Sequence, residues 1–175
     1  MKFHELELPG LFLIELDRFE DERGFFARTF CKEEFQKKGL ECHFDQCSFS
    51  FNKNRGTLRG MHFQSAPYEE GKLIRCTHGA IYDVLVDLRP ESKTYKKWQA
   101  VELSENNLSL LYVPKGLAHG FQTLEENTQV FYQISEKYSQ PHAAGVRWND
   151  PIFGIHWPLP VSTISIKDQQ YPNFL

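Results

Sequence analysis

Turn-forming residues punctuate the chain at short intervals, and this punctuation limits the fold more than any other feature of the sequence. Pro, Gly, Asn, Asp, Ser and neighbouring charged residues cluster at 9–10, 21–24, 52–56, 69–71, 89–92, 104–107 and 125–127. The runs between them at 72–76, 80–88, 98–103, 108–113 and 128–134 are short and β-branched, aromatic or alternating, the pattern of strands. Only 32–38 reads as a helix, stopped by Gly39. Fifteen phenylalanines favour β-rich packing over a helical bundle. Within 80–88, Val84, Val86 and Leu88 share one face, while Asp83, Leu85 and Asp87 share the other. That second, mixed face suits a cavity wall better than bulk water. The expected fold is all-β, a β-sandwich or jelly-roll barrel able to hold a ligand between its sheets. The 175 residues contain no linker, repeat or low-complexity segment, so 1–175 is expected to be a single domain.

Composition removes several classes of function. A net charge of −3 argues against a broad nucleic-acid-binding face, while leaving room for a local basic pocket. No apolar run approaches the roughly 20 residues of a membrane span. The opening stretch MKFHELELPG lacks an apolar signal core, so a cytoplasmic location is expected. Cys31, Cys42, Cys47 and Cys76 form no CxxC pair and are expected to be reduced, partly buried residues.

The chemistry concentrates around TLRGMHFQ, where Arg59 and His62 stand among apolar residues with no carboxylate nearby in sequence. Arginine presents a permanently charged fork suited to phosphate oxygens. Histidine is the natural base for a carbon-bound proton beside a carbonyl. A carboxylate on its second ring nitrogen would fix the tautomer, a lysine such as Lys72 would stabilise an enolate oxygen, and a tyrosine would return a proton from the opposite side. A spacing of three puts Arg59 and His62 on opposite faces of a regular strand; a bulge or bend at Gly60 is the simplest resolution expected, the alternative being that the long Arg59 side chain curls over the strand edge. Pro114-Lys115-Gly116-Leu117-Ala118-His119-Gly120 has the PxGxxH form of the second cupin metal motif, but the HxH and following Glu of the first motif are missing. A metal site is therefore not expected.

Ordered along almost the whole chain are Asp21-Glu22-Arg23-Gly24-Phe25-Phe26, Leu58-Arg59-Gly60-Met61-His62-Phe63-Gln64, Gly71-Lys72-Leu73-Ile74-Arg75, the PKGLAHGF stretch at 114–121, Arg147-Trp148-Asn149-Asp150-Pro151 and Ser165-Ile166-Lys167-Asp168. In these elements the sequence resembles the dTDP-4-dehydrorhamnose 3,5-epimerases, which act on nucleotide-linked 4-keto sugars. The resemblance implies a cupin-type jelly roll with no cofactor and no metal, a nucleotide-diphospho-sugar substrate, and a homodimer. It implies that His62 is the base, Asp168 its carboxylate partner, Tyr132 the opposing acid and Lys72 the lysine beside the sugar carbonyl. Arg59, His119, Gln46, Ser48 and Lys167 fall at substrate-binding positions, and Arg23 and Phe26 at positions that reach the site from the second subunit.

Three positions depart from the family pattern: Arg28 and Ala143 where glutamate is usual, and Ser48 where asparagine is usual. They lead to the expectation of a nucleotide other than dTDP, or a sugar other than 4-keto-6-deoxyglucose, with inversion at carbon 3, carbon 5 or both. The rival expectations are a noncatalytic nucleotide-sugar-binding jelly roll, a related ketoisomerase and a metal-dependent cupin oxygenase.

Overall fold

A computed structural model describes residues 1–174. The strands are β1 (Lys2–Glu5), β2 (Phe12–Glu15), β3 (Arg18–Asp21), β4 (Gly24–Ala27), β5 (Gln46–Asn52), β6 (Thr57–Gln64), β7 (Lys72–His78) and β8 (Ala80–Asp87). They continue with β9 (Trp98–Ser104), β10 (Leu110–Val113), β11 (Leu117–Thr123), β12 (Thr128–Ile134), β13 (Ala143–Gly145) and β14 (Thr163–Ile164). Two short helices, α1 (Lys32–Lys37) and α2 (Ile166–Gln169), complete the set. One six-stranded sheet runs β1-β2-β10-β7-β12-β5, and the facing one runs β13-β6-β11-β8-β9 with β14 alongside β6. Together they form a cupin-type jelly roll. The β3–β4 hairpin pairs only with itself and stands exposed.

The apolar interior follows from strand alternation. Ile74, Leu85, Leu111, Phe121 and Val130 turn inward from both sheets and pack as one buried cluster. Leu85 and Asp83 share that inward face, so the mixed side of β8 does lie between the sheets, while Val84 and Val86 pack outward against Val146 and Phe153. Helix α1 lays Phe35, which has no exposed surface, over Ile14, Leu73, Leu110 and Tyr112 on the outer face of the first sheet. It ends as expected, with Lys38 as the cap and Gly39 at φ +70°. All four cysteines are free: Cys76 is buried, Cys31 and Cys42 are half-buried, and Cys47 is exposed rather than partly buried. Burial pushes the Cys76 thiol up to about 12, leaving it a packing residue.

The bulge expected at Gly60 is present. Along the β6–β11 ladder His119 pairs with His62, but Phe121 pairs with Arg59, so two residues of β6, Gly60 and Met61, oppose Gly120 alone. The extra residue reverses the side-chain alternation and resolves the conflict between Arg59 and His62. Gly60 has φ +145°, and a Cβ there would lie 2.6 Å from the Gly120 Cα and 3.3 Å from the His119 carbonyl oxygen. Both neighbours are backbone and cannot move aside. Gly60→Ala should therefore lower unfolding free energy by about 2–3 kcal/mol, measured by urea denaturation, whereas alanine at the uncrowded Gly39 should cost less.

Candidate active site

The bulged strand supplies one wall of a cavity of about 460 Å³, within the range of small-ligand sites. Arg59, His62 and Gln64 from β6, Ala143 and Ala144 from β13, Lys167 and Asp168 from α2, and Glu70, Tyr138 and Tyr171 from the flanking loops line it. Helix α2 is a single turn whose start is fixed by Ser165, the hydroxyl accepting the Asp168 N–H at 3.0 Å. That turn carries the Asp168 carboxylate to β6. Oδ1 accepts from His62 Nε2 at 2.8 Å, and Oδ2 accepts from the Gly60 N–H at 3.2 Å.

This bridge sets the chemistry of His62. An ionised carboxylate can only accept, so Nε2 carries the proton and Nδ1 keeps its lone pair. The His62 side chain is 41% exposed, whereas that of Asp168 is 6% exposed. Burial alone would push the Asp168 carboxyl up. The hydrogen bond and charge of His62, with the bonds from Gly60 and Ser165, outweigh burial and hold it below the usual carboxylate range. A depressed folded-state value means that the carboxylate contributes its stability fully above the ordinary aspartate range and loses it as pH falls through the lower folded value.

A second set of polar groups lies between the sheets behind His62. His119 faces His62 across the ladder and its Nε2 lies 2.5 Å from Asp83 Oδ1. Asp83 Oδ2 is the one buried side-chain oxygen or nitrogen without a partner among the described residues. The Tyr132 ring meets the His119 ring edge-on, 6.3 Å between centroids, and its hydroxyl lies 3.3 Å from Ser50 Oγ. Burial pushes the Tyr132 phenol well up, more than the Ser50 hydrogen bond lowers it, which keeps it a proton-bearing acid. Asn52 donates to Ser50 Oγ at 3.5 Å and accepts from Arg59 Nε at 2.7 Å, joining the tyrosine to the guanidinium through two β5 side chains. Lys72 begins β7 and is buried, with its ammonium 2.8 Å from Glu70 Oε1.

Among the residues singled out from sequence, His62, Asp168, Arg59 and Lys167 line one cavity. His119, Tyr132 and Lys72 do not line it: His119 pairs with His62 across the β6–β11 ladder and meets Tyr132 edge-on between the sheets, and Lys72 pairs with Glu70, which does line it. Ser48 sits opposite Tyr132 in the β5–β12 register, and Gln46 Oε1 accepts the Tyr138 N–H at 2.9 Å. Arg23 and Phe26 do not reach this cavity within one chain: Arg23 pairs with Asp21 on the exposed hairpin, and Phe26 is 68% exposed. Of the three departures from the family pattern, Ala143 lines the cavity, while Arg28 lies 3.9 Å from Glu34 beside α1. Sequence reasoning missed Glu70, Tyr138 and Tyr171 at the site. Glu70 had a signal, a carboxylate two residues before a candidate lysine at the start of a strand. Among the described residues no three His, Cys, Asp or Glu side chains are grouped to hold a metal, and His119 spends the nitrogen nearest Asp83 on that carboxylate instead.

Comparison with known proteins matches residues 5–175 to the family model described as dTDP-4-dehydrorhamnose 3,5-epimerase. A protein of that name from Sinorhizobium fredii is 41% identical over 174 residues, spanning 99% of this chain and 89% of the relative. The crystal structure of a dTDP-4-dehydrorhamnose 3,5-epimerase from Bacillus anthracis with TDP and PPi bound superposes with a TM-score of 0.96 at 42% identity, covering 99% of each chain. ChmJ, a 3'-monoepimerase from Streptomyces bikiniensis in complex with dTDP-quinovose, gives 0.91 at 29% identity over 97% of this chain and 86% of its own.

Asp168→Asn tests the carboxylate bridge. An amide can offer Nε2 an N–H, which moves the imidazole proton to Nδ1 and removes the lone pair from the cavity side. Turnover should fall about 10²–10⁴-fold with the fold retained, read as kcat beside a circular dichroism spectrum matching wild type.

Proposed function

The chain belongs to the dTDP-4-dehydrorhamnose 3,5-epimerase family, and from that premise we propose which residues carry its reaction and on what substrate. It is an isomerase of nucleotide-linked 4-keto-6-deoxy sugars in deoxysugar biosynthesis. The observation that carries the assignment of roles is the His62–Asp168 bridge lining the cavity, with the half-buried Tyr132 against His119, the residue that pairs with His62 across the β6–β11 ladder.

His62 Nδ1 takes the proton from a ring carbon beside the 4-keto group, and the electron pair moves to the carbonyl oxygen as an enolate. The Lys72 ammonium stabilises that oxygen. Tyr132 then gives its hydroxyl proton to the opposite face of the same carbon, the carbonyl re-forms, and the configuration is inverted. Imidazolium and tyrosinate return to their starting forms by losing and gaining one proton with solvent. Only protons move, so the reaction calls for no electron carrier. Arg59 and Lys167, cations at the open side of the cavity, hold the diphosphate.

The nucleotide is dTDP. The family model and the relatives described above name dTDP or TDP, which outweighs the altered recognition suggested by Arg28, Ser48 and Ala143. Both carbons beside the ketone are inverted, since the model matching the chain is that of a 3,5-epimerase. In deuterated water, dTDP-4-keto-6-deoxyglucose should take up deuterium at carbons 3 and 5 with an inverted product. CDP-, GDP- and UDP-linked analogues should react at least about tenfold less efficiently. Exchange at carbon 3 alone would make the chain a monoepimerase.

The working unit is a homodimer that shares its sites. Strand β5 is one of the two edge strands of the first sheet and turns Phe49 and Phe51 outward, 58% and 44% exposed. The hairpin adds Phe19, Phe25 and Phe26, all more than half exposed. Such an aromatic edge favours pairing with a second copy. Arg23 and Phe26 of each hairpin complete the partner's cavity. Equimolar mixing of the inactive variants His62→Asn and Arg23→Ala should restore about one quarter of wild-type activity, because half of the dimers are hybrids with one intact site. No recovery after subunit exchange, followed by light scattering and kinetics, would refute sharing.

A further inference from the structure

One charged group at the cavity has no part in the steps above: Glu70. It lies in the turn that leads into β7, and that turn is held on both sides. Ser135 Oγ accepts the Gly71 N–H at 2.8 Å, and the Ser135 N–H donates to the Gly71 carbonyl at 3.0 Å. Gln64 Nε2 donates to the Tyr68 and Lys137 carbonyls at 2.9 and 3.1 Å, tying the loop before Glu70 to the segment after β12. The backbone that carries the carboxylate is therefore fixed.

Glu70 Oε1 lies 2.8 Å from Lys72 Nζ, with the two side chains 12% and 9% exposed. The pair Glu33–Lys37 on α1 has a similar separation of 2.7 Å, but its side chains are 74% and 70% exposed. Solvated pairs of that kind contribute little. Two charges withdrawn from water carry a desolvation cost that a surface pair escapes. Glu70 faces the same cavity as His62 and Asp168, and it is the one ion-pair partner of Lys72 among the described residues.

We propose that Glu70 is the positioning residue of the reaction, acting through Lys72; this rests on the epimerase reading above. An ammonium has three N–H donors and Glu70 occupies one, leaving the others for a substrate oxygen. The lysine stem is flexible, and a fixed carboxylate selects one position for its head before substrate arrives. A lysine already paired gains little from a neutral ketone and more from an enolate oxygen carrying full charge. The interaction therefore acts on the transition state more than on the bound substrate.

The test is Glu70→Gln, which keeps the shape and removes the charge. With dTDP-4-keto-6-deoxyglucose, kcat and the rate of deuterium uptake at carbons 3 and 5 should fall about 10–100-fold while KM stays within about threefold, with dTDP binding as in wild type. Unchanged kcat, or a loss confined to KM, would overturn the proposal, because a structural ion pair or a ground-state contact gives those results. If the glutamine chain does not fold, Glu70→Asp carries the same test, withdrawing the charge by one methylene, with the same fall in kcat at constant KM expected. A wild-type enzyme that exchanges neither proton with any nucleotide-linked 4-keto sugar would overturn the epimerase reading itself. Exchange in wild type with Glu70→Gln equally fast would overturn only the role of Glu70.

Discussion

The Asp168 carboxylate bridges two elements that are far apart in sequence, and the site depends on that bridge. One oxygen holds the Gly60 N–H at the bulge and the other holds the imidazole of His62. A strand that bulges has a backbone donor out of its ladder, and a buried donor without a partner is costly. Asp168 satisfies it and in the same contact fixes the orientation and tautomer of His62. The backbone distortion that brings Arg59 and His62 to one side is thus stabilised by the group that prepares His62 for proton transfer. Structure and chemistry share one carboxylate.

The interior of the sandwich divides into two unlike regions. Where Ile74, Leu85, Leu111 and Val130 meet, it is a conventional apolar core. Beside it, the inward positions of β5, β8, β11 and β12 carry Ser50, Asn52, Asp83, His119 and Tyr132. Polar groups at such positions cost stability unless each finds a partner, and nearly all do. The exception is Asp83 Oδ2. The fold supplies this arrangement by alternation alone: the period that fills one region with Val, Ile and Leu points Tyr132 and His119 into the other.

The parts legible in the sequence were those with a local signal. The expected runs 72–76, 80–88, 98–103 and 128–134 coincide with β7, β8, β9 and β12 to within two residues, and the helix ends where Gly39 ends it. These segments are buried on at least one face, so their pattern is strong. The strands β13 and β14 and the one-turn α2 have too few residues to show a period, and their pairing with β6 comes from tertiary contacts. The Gly60 bulge was legible because two chemically informative residues stood at a spacing that a regular strand forbids. That Asp168 is buried was not legible, since its neighbours Lys167 and Gln169 are exposed and its partner lies 106 residues away.

The same division explains why candidate residues were easier to name than to place. Arg59, His62 and Lys72 sit on central strands where the register leaves little freedom. Arg23 and Phe26 sit on a two-stranded hairpin that shares no strand with either sheet. An isolated hairpin is marginal in water, and this one exposes Phe19, Phe25 and Phe26 together. The Arg18 guanidinium lies over the Phe25 ring at 5.6 Å, yet Phe19, Phe25 and Phe26 each remain more than half exposed. In the proposed homodimer the aromatic outer side of the β5 edge would be the matching surface of the second copy, and Asn52 and Ser50 on that strand connect to Arg59 and Tyr132. In the proposed dimer, docking at β5 would be transmitted to the guanidinium and the phenol through these side chains, and subunit association would be part of how the cavity is completed.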